Sequence, residues 1–228
     1  MGASADRGAL MRERIFRYVV RHDAGAAPNP FGDWCTLAVC KPQIRQSASV
    51  GDWIVGLRSR QPDHVIYAMQ VSEILTFAAY WNDKRFRHKR PDRCASSDSI
   101  YRPDFAKGLA QVPNRVHTER DRRRDLSCIN VLVSSRFWYF GALSPQLPAG
   151  LAHLVHRGRG HSVEKNRRED DVACLDEWLR AQGRIGIHGA PLDRHRLLPA
   201  LTDSRTCAAP KVRSKAPKEL RPKSRGCD

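Results

Sequence analysis

Apolar and polar residues alternate along the first third of the chain in the two-residue period of β-strands. Arg14–His22 is dense in β-branched and aromatic residues and predicts a strand. Asp23–Gly32 breaks the pattern with Gly, Pro and Asn and reads as a long loop. Apolar character returns over Trp34–Cys40. It gives way to the basic segment Lys41–Arg45, where Pro42 can open a helical turn. Val50, Gly51 and Asp52 form a turn that leads into a strand over Trp53–Leu57. Beyond a polar connector, His64–Leu75 places Val65, Tyr67, Met69 and Val71 on one side of a second strand. Thr76 is positioned to cap a short aromatic helix over Phe77–Trp81.

Residues 82–125 are polar and basic and carry few helix or strand signals. Apolar strands are predicted again over Cys128–Val133 and Phe137–Phe140. A helix follows over Glu164–Gln182, with Val172, Leu175, Trp178 and Leu179 on one face and Gly183 at its end. The order of elements predicts an α+β fold: a PUA-like open barrel or a twisted, mostly antiparallel sheet with flanking helices. Residues 1–11 are expected to be a disordered leader, 12–185 the domain, and 186–228 a basic disordered tail.

Composition adds a partner class. Hydrophobic residues make up 41% of the 228, enough for a core, and 40 Lys and Arg against 24 Asp and Glu leave a net charge of +16. From Ser204 to Asp228, eight basic residues face only Glu219 and Asp228, so this stretch carries +6 and the rest of the chain about +10. The excess in the body favours a polyanion as partner. No apolar run reaches the roughly 18 residues of a membrane span, and residues 1–14 lack the apolar stretch of a signal peptide. The expectation is a soluble cytoplasmic protein without a membrane partner.

Seven scattered cysteines include no C-x2-C pair, so neither a disulfide framework nor a metal site is expected. No dinucleotide, Walker, nucleophile-elbow or zincin motif occurs, and no cofactor is expected.

Asn29-Pro-Phe31, Cys35-Thr-Leu37, Cys40-Lys-Pro-Gln-Ile-Arg45, Gly51-Asp-Trp53, Tyr67-Ala-Met69 and Tyr80-Trp-Asn-Asp-Lys-Arg-Phe86 occur in order. Together they resemble the nucleotide modification associated domain family, the second of its numbered set. The resemblance spans about residues 12–182. It implies a place in systems that modify nucleic-acid bases or respond to modified ones. The run from Val50 to Gly56 followed by Val65–Glu73 more faintly resembles the core hairpin of PUA-like domains of the EVE and YTH type. Lys41–Arg45 then falls near the position of their basic segment beside the base pocket.

A reader of modified bases needs aromatic faces, polar groups for the base edge and cations for phosphates. The residues that could supply them are Asn29, Phe31, Trp34, Lys41, Arg45, Trp53 and Arg85. The bland alternatives are core packing for the tryptophans and solvated charge for the cations. The function expected is binding of nucleic acid or a nucleotide, with a base-modifying enzyme as a possible protein partner. The alternative is an enzyme of nucleobase or nucleotide modification, with Cys35, Asp83 and His161 as candidate catalytic groups.

Overall fold

The computed structural model describes residues 13–163, 170–193 and 195. The expected leader, residues 164–169 of the expected helix, and the chain beyond 195 lie outside the described residues. The strands are β1 Ile15–Val20, β2 Cys35–Leu37, β3 Trp53–Arg58, β4 Val65–Gln70, β5 Glu73–Thr76 and β6 Tyr101–Asp104. They continue with β7 Gly108–Gln111, β8 Asn130–Ser134, β9 Arg136–Tyr139, β10 Ser162–Val163 and β11 Gly186–Ile187. The α-helices are α1 Pro42–Ser47, α2 Phe77–Asn82, α3 Glu119–Asp125 and α4 Asp171–Ala181.

The main sheet has the order β10-β1-β3-β4-β9-β11, and a second sheet has the order β2-β8-β5. The fold is α+β with mostly antiparallel sheets, which among the described residues do not close into a barrel. Among the described residues two pairings are parallel, β1 with β3 and β9 with β11. A parallel pair needs a crossover, and between β1 and β3 that crossover contains β2 and α1. It therefore carries the segment Cys40–Arg45 across the face of the main sheet.

The single strand expected over His64–Leu75 is two strands in two sheets. After Gln70 the chain turns: Val71 N–H donates to Asp52 O at 2.8 Å, and Ser72 N–H donates to Val133 O at 2.8 Å. The return path from β8 to β9 turns at the same corner, where the hydroxyls of Ser72 and Ser135 lie 3.2 Å apart. Side-chain alternation runs through such a bend without a break, so it cannot reveal one. The polar stretch 82–125 is also more ordered than its composition predicts. It contains a 3-10 turn over Lys84–Lys89, the β6–β7 hairpin and α3.

Apolar side chains fill both faces of the main sheet. Phe16, Tyr18, Ile54, Tyr67 and Met69 pack toward the second sheet with Leu37, Ile44 and Leu132. Trp53, Val55, Ala68 and Trp138 pack on the other side against Leu175 and Leu179 of α4. Those two leucines are the inward face predicted for this helix, which ends before Gly183 at φ 131°. Gly186 and Ile187 pair with Trp138 and Tyr139, so the chain just past 185 belongs to the sheet. Leu192 N–H donates to the Asp23 carboxylate at 3.0 Å, extending the fold to that point. Cys94 is disulfide-bonded, whereas Cys35, Cys40 and Cys128 are free thiols. Among the described residues no helix is long and apolar enough to cross a membrane.

Gly56 lies opposite Tyr67 in the β3–β4 register. A Cβ there would sit 2.3 Å from Tyr67 Cε1 and 2.7 Å from Val20 Cγ2. Gly56→Ala is expected to displace Tyr67 and lower stability by about 1–3 kcal/mol, read as a lower urea midpoint at unchanged slope.

Candidate functional site

The residues that carry the family resemblance serve mainly to build the core around β2. Asn29 is fully buried; its side-chain amide donates to Ser96 O at 2.8 Å, and its backbone bridges Thr36. The Lys89 ammonium, equally buried, donates to Trp34 O at 2.7 Å, Asn29 O at 2.8 Å and the Thr36 hydroxyl at 3.0 Å. Thr36 and Tyr80 in turn donate to the Asp98 carboxylate at 2.6 and 2.7 Å. Burial pushes Asp98 up to about 6 and Lys89 down to about 8.

The other residues singled out from sequence are dispersed. Phe31 is buried, and its carbonyl accepts from His88 at 3.0 Å. Trp34 is half-buried beneath the Arg85 guanidinium, 5.0 Å from its ring centre. Arg85 itself pairs with Asp83 at 2.7 Å and Glu73 at 2.9 Å, and this hydrogen bonding holds Asp83 below the ordinary carboxylate value. Trp53 is fully buried and stacked on Trp138, on the α4 side of the sheet. Arg45 is also buried. It donates to Cys40 O at 2.8 Å, Cys128 O and Asn130 O at 2.6 Å, and Asp125 O at 2.7 Å. Cys35 is buried in β2, where desolvation pushes its thiol up to about 12.

Lys41 and His161 do meet, in the wall of a cavity of about 820 Å³. Its floor is Tyr18, whose hydroxyl lies 2.9 Å from that of Tyr67. Ala24, Ala26, Ala27, Pro42 and Val116 give it apolar sides, and Arg21, Lys41, Arg115 and Arg124 give it positive charge against Asp121. The Lys41 ammonium sits 4.3 Å above the Tyr18 ring and 3.3 Å from Gly160 O. Burial lowers the Lys41 pKa, and Arg21 and Arg124 push the same way against Cys40. His161 lies against Phe16, and burial followed by the Lys41 charge lowers its pKa. A second hollow of about 550 Å³ shares Arg21 and His22 with the first and is lined further by Ser59, Arg60, Arg157 and Arg159.

Two groups absent from the sequence-derived set, Cys40 and His117, stand in the cavity wall, with Asp125 buried behind them. Cys40 and Lys41 both adopt left-handed backbone, at φ 62° and 42°. Non-glycine residues hold such angles at a cost of about 1–3 kcal/mol each. This turn precedes α1 and places the Cys40 thiol in the cavity wall, 3.3 Å from His117 Nε2. The other nitrogen of His117, Nδ1, makes a short hydrogen bond to Asp125 Oδ2. Asp125 is fully buried and also accepts from Tyr101 OH at 3.0 Å and Cys40 N–H at 3.1 Å. Burial pulls the His117 imidazole down, but the hydrogen bonds to Asp125 and Cys40 outweigh it and raise the ring to about 10. His117 is held by Asn114 Oδ1, which accepts its backbone N–H at 2.8 Å. α3 starts immediately afterwards, with the Asp121 carboxylate accepting Thr118 N–H at 3.0 Å. That Thr118-x-x-Asp121 spacing is a helix-start signal, and it was the available clue that Asp125 closes a helix beside His117.

The α+β domain thus has a cation-lined cavity beside a thiol–imidazole–carboxylate series. A family model described as nucleotide modification associated domain 2 matches residues 12–197, and the chain belongs to that family. The match agrees with the resemblance carried by the motifs from Asn29 to Phe86, and the family's description ties the chain to nucleotide modification. No curated protein and no solved structure matches the chain.

Proposed function

We propose that the domain binds a nucleotide, free or within a nucleic acid, and takes its base, modified or not, into the cavity floored by Tyr18. The single observation that carries this reading is the junction of the two hollows. The inner one combines an aromatic floor and apolar sides with Lys41, and the outer one is lined by Arg21, Arg60, Arg157 and Arg159. A cavity of this size and mixed lining suits a compact ring system, and clustered guanidinium groups suit phosphates. Lys41 keeps the binding role expected of it, His161 lines the same cavity although it was expected among the catalytic candidates, and the buried Asn29, Arg45 and Trp53 act through the fold.

Titration of the full chain with mononucleotides and short oligonucleotides, carrying unmodified or modified bases, tests the reading. Binding is expected to discriminate among bases and to weaken steeply with salt. In the triple variant Arg60→Ala, Arg157→Ala, Arg159→Ala, the slope of log affinity against log salt should flatten by about 2–3. Binding indifferent to the base, or a slope unchanged in the triple variant, would overturn it.

A further inference from the structure

Cys40, His117 and Asp125 are separated by 77 and 8 residues along the chain, yet they form one linear hydrogen-bonded series. The imidazole stands between sulfur and carboxylate, with one nitrogen facing each. We propose that Cys40 is a nucleophile served by His117 as acid and base and by Asp125 as the group that orients the ring. Its target is an sp2 carbon bearing a nitrogen leaving group, such as the amide or amidine carbon of a nucleotide in the cavity. The substrate class rests on the nucleotide-binding reading; the nucleophile rests on the series itself.

Several features distinguish this arrangement from a chance cluster. Cys40 lies in the wall of the cavity, whereas Cys35 and Cys128 are buried free thiols. The carboxylate of Asp125 has both oxygens occupied, Oδ1 by Cys40 N–H and Oδ2 by Tyr101 OH and the ring, which fixes its orientation. An imidazolium that donates to sulfur is the arrangement that makes a thiol nucleophilic near neutral pH. The thiol, ring and carboxylate ligand atoms also lie within 4.8 Å of one another, a spacing a metal ion could use. A metal would have to displace a hydrogen bond from whichever ring nitrogen it took, because both are already engaged.

The chemistry balances without an oxidant or reductant. With its proton already on His117 Nε2, the Cys40 thiolate forms the S–C bond as the π pair of the C=O or C=N bond moves onto its heteroatom. Collapse of this adduct breaks the C–N bond, and the departing nitrogen takes the proton from His117 and leaves as an amine or ammonia. Water then adds to the S-acyl or S-imidoyl carbon and gives a proton to His117. Cleavage of the S–C bond releases the thiolate beside the protonated His117 and restores the starting pair. In sum, water replaces the nitrogen group.

Limited alkylation of the full chain with iodoacetamide, followed by peptide mass mapping, compares Cys40 with the partly exposed Cys174 in the same sample. Cys40 should react about tenfold or more faster at pH 6.5, and His117→Asn should remove that advantage while leaving Cys174 unchanged. If His117→Asn does not fold, the unmodified chain still decides. A Cys40 rate nearly flat from pH 6 to 8 supports the proposal, and a rise parallel to that of Cys174 overturns it. Alkylation blocked by a co-purified metal and restored by its removal also overturns it. Nucleotides with an acylated exocyclic amine or a free ring amidine then serve as substrates, with acid quenching and intact-mass detection of a Cys40 adduct. Reactive Cys40 with nucleotide binding but neither adduct nor product would overturn the substrate class. Reactive Cys40 without nucleotide binding would overturn the functional reading and leave the nucleophile standing.

Discussion

Lys89→Met is expected to lower the unfolding free energy by about 3–5 kcal/mol at pH 7, the usual cost of removing one member of a buried charged network. The ammonium bonds two carbonyls and the Thr36 hydroxyl, and through Thr36 it connects to Asp98. Methionine keeps the volume but removes the charged donor to Trp34 O, Asn29 O and the Thr36 hydroxyl and leaves Asp98 without its cation. The loss should shrink as pH falls through 6, because burial has already raised Asp98 to about 6 and protonation removes its charge. The direction follows from linkage. Asp98 titrates higher in the folded chain than at its ordinary 3.8, so its contribution is fully present below that value and is lost as pH rises through about 6. Lys89 titrates lower than its ordinary 10.5, so its contribution is present above that value and is lost as pH falls through about 8. Urea denaturation of the parent chain and of Asp98→Asn between pH 4 and 7 measures this, and only the parent should lose stability on that account as pH rises.

Arg45→Met should cost about as much, roughly 3–5 kcal/mol, because it leaves buried carbonyls of Cys40, Asp125, Cys128 and Asn130 without a charged donor. The more informative variant is Arg45→Lys. Lysine keeps the charge but cannot span the same carbonyls with a planar fork. Since Arg45 grips the main chain at Cys40 and at Asp125, the substitution should loosen the spacing of the hydrogen-bonded series as well as the core. Expected results are a lower urea midpoint and slower alkylation of Cys40 by about tenfold. Arg45→Lys with a lowered midpoint but unchanged Cys40 reactivity would show that the clamp stabilises the fold without positioning the thiol.

Most of the main sheet was legible because β1, β3 and β4 alternate in the two-residue period, and α4 because Leu175 and Leu179 repeat at helical spacing. The sheet change at Val71–Ser72 was not, since the period survives a corner set by two serines distant in sequence. The aromatic and cationic residues between Asn29 and Arg85 were visible as a group, but residue type alone does not distinguish a wall from a core. Trp53 stacks on Trp138, where it could equally have stacked on a base, and Arg45 bonds carbonyls where it could have bonded phosphates. Lys41 reached the cavity because it sits on the left-handed turn, a backbone feature without a glycine to mark it. His117 and Asp125 lay in the polar stretch, 77 and 85 residues from Cys40, and only the tertiary fold reveals the pairing.

The contact of Leu192 with Asp23 joins residues 169 positions apart, at the loop that supplies Ala24, Ala26 and Ala27 to the cavity. In kinetic terms this is one of the most distant closures in the fold, of the kind that slows folding. During synthesis the chain must grow past residue 117 before Cys40 can meet its imidazole, and past 192 before the loop beside them is tied down. Until then Cys40 is an ordinary thiol on an incomplete sheet. Its chemistry is acquired with the last long-range contacts.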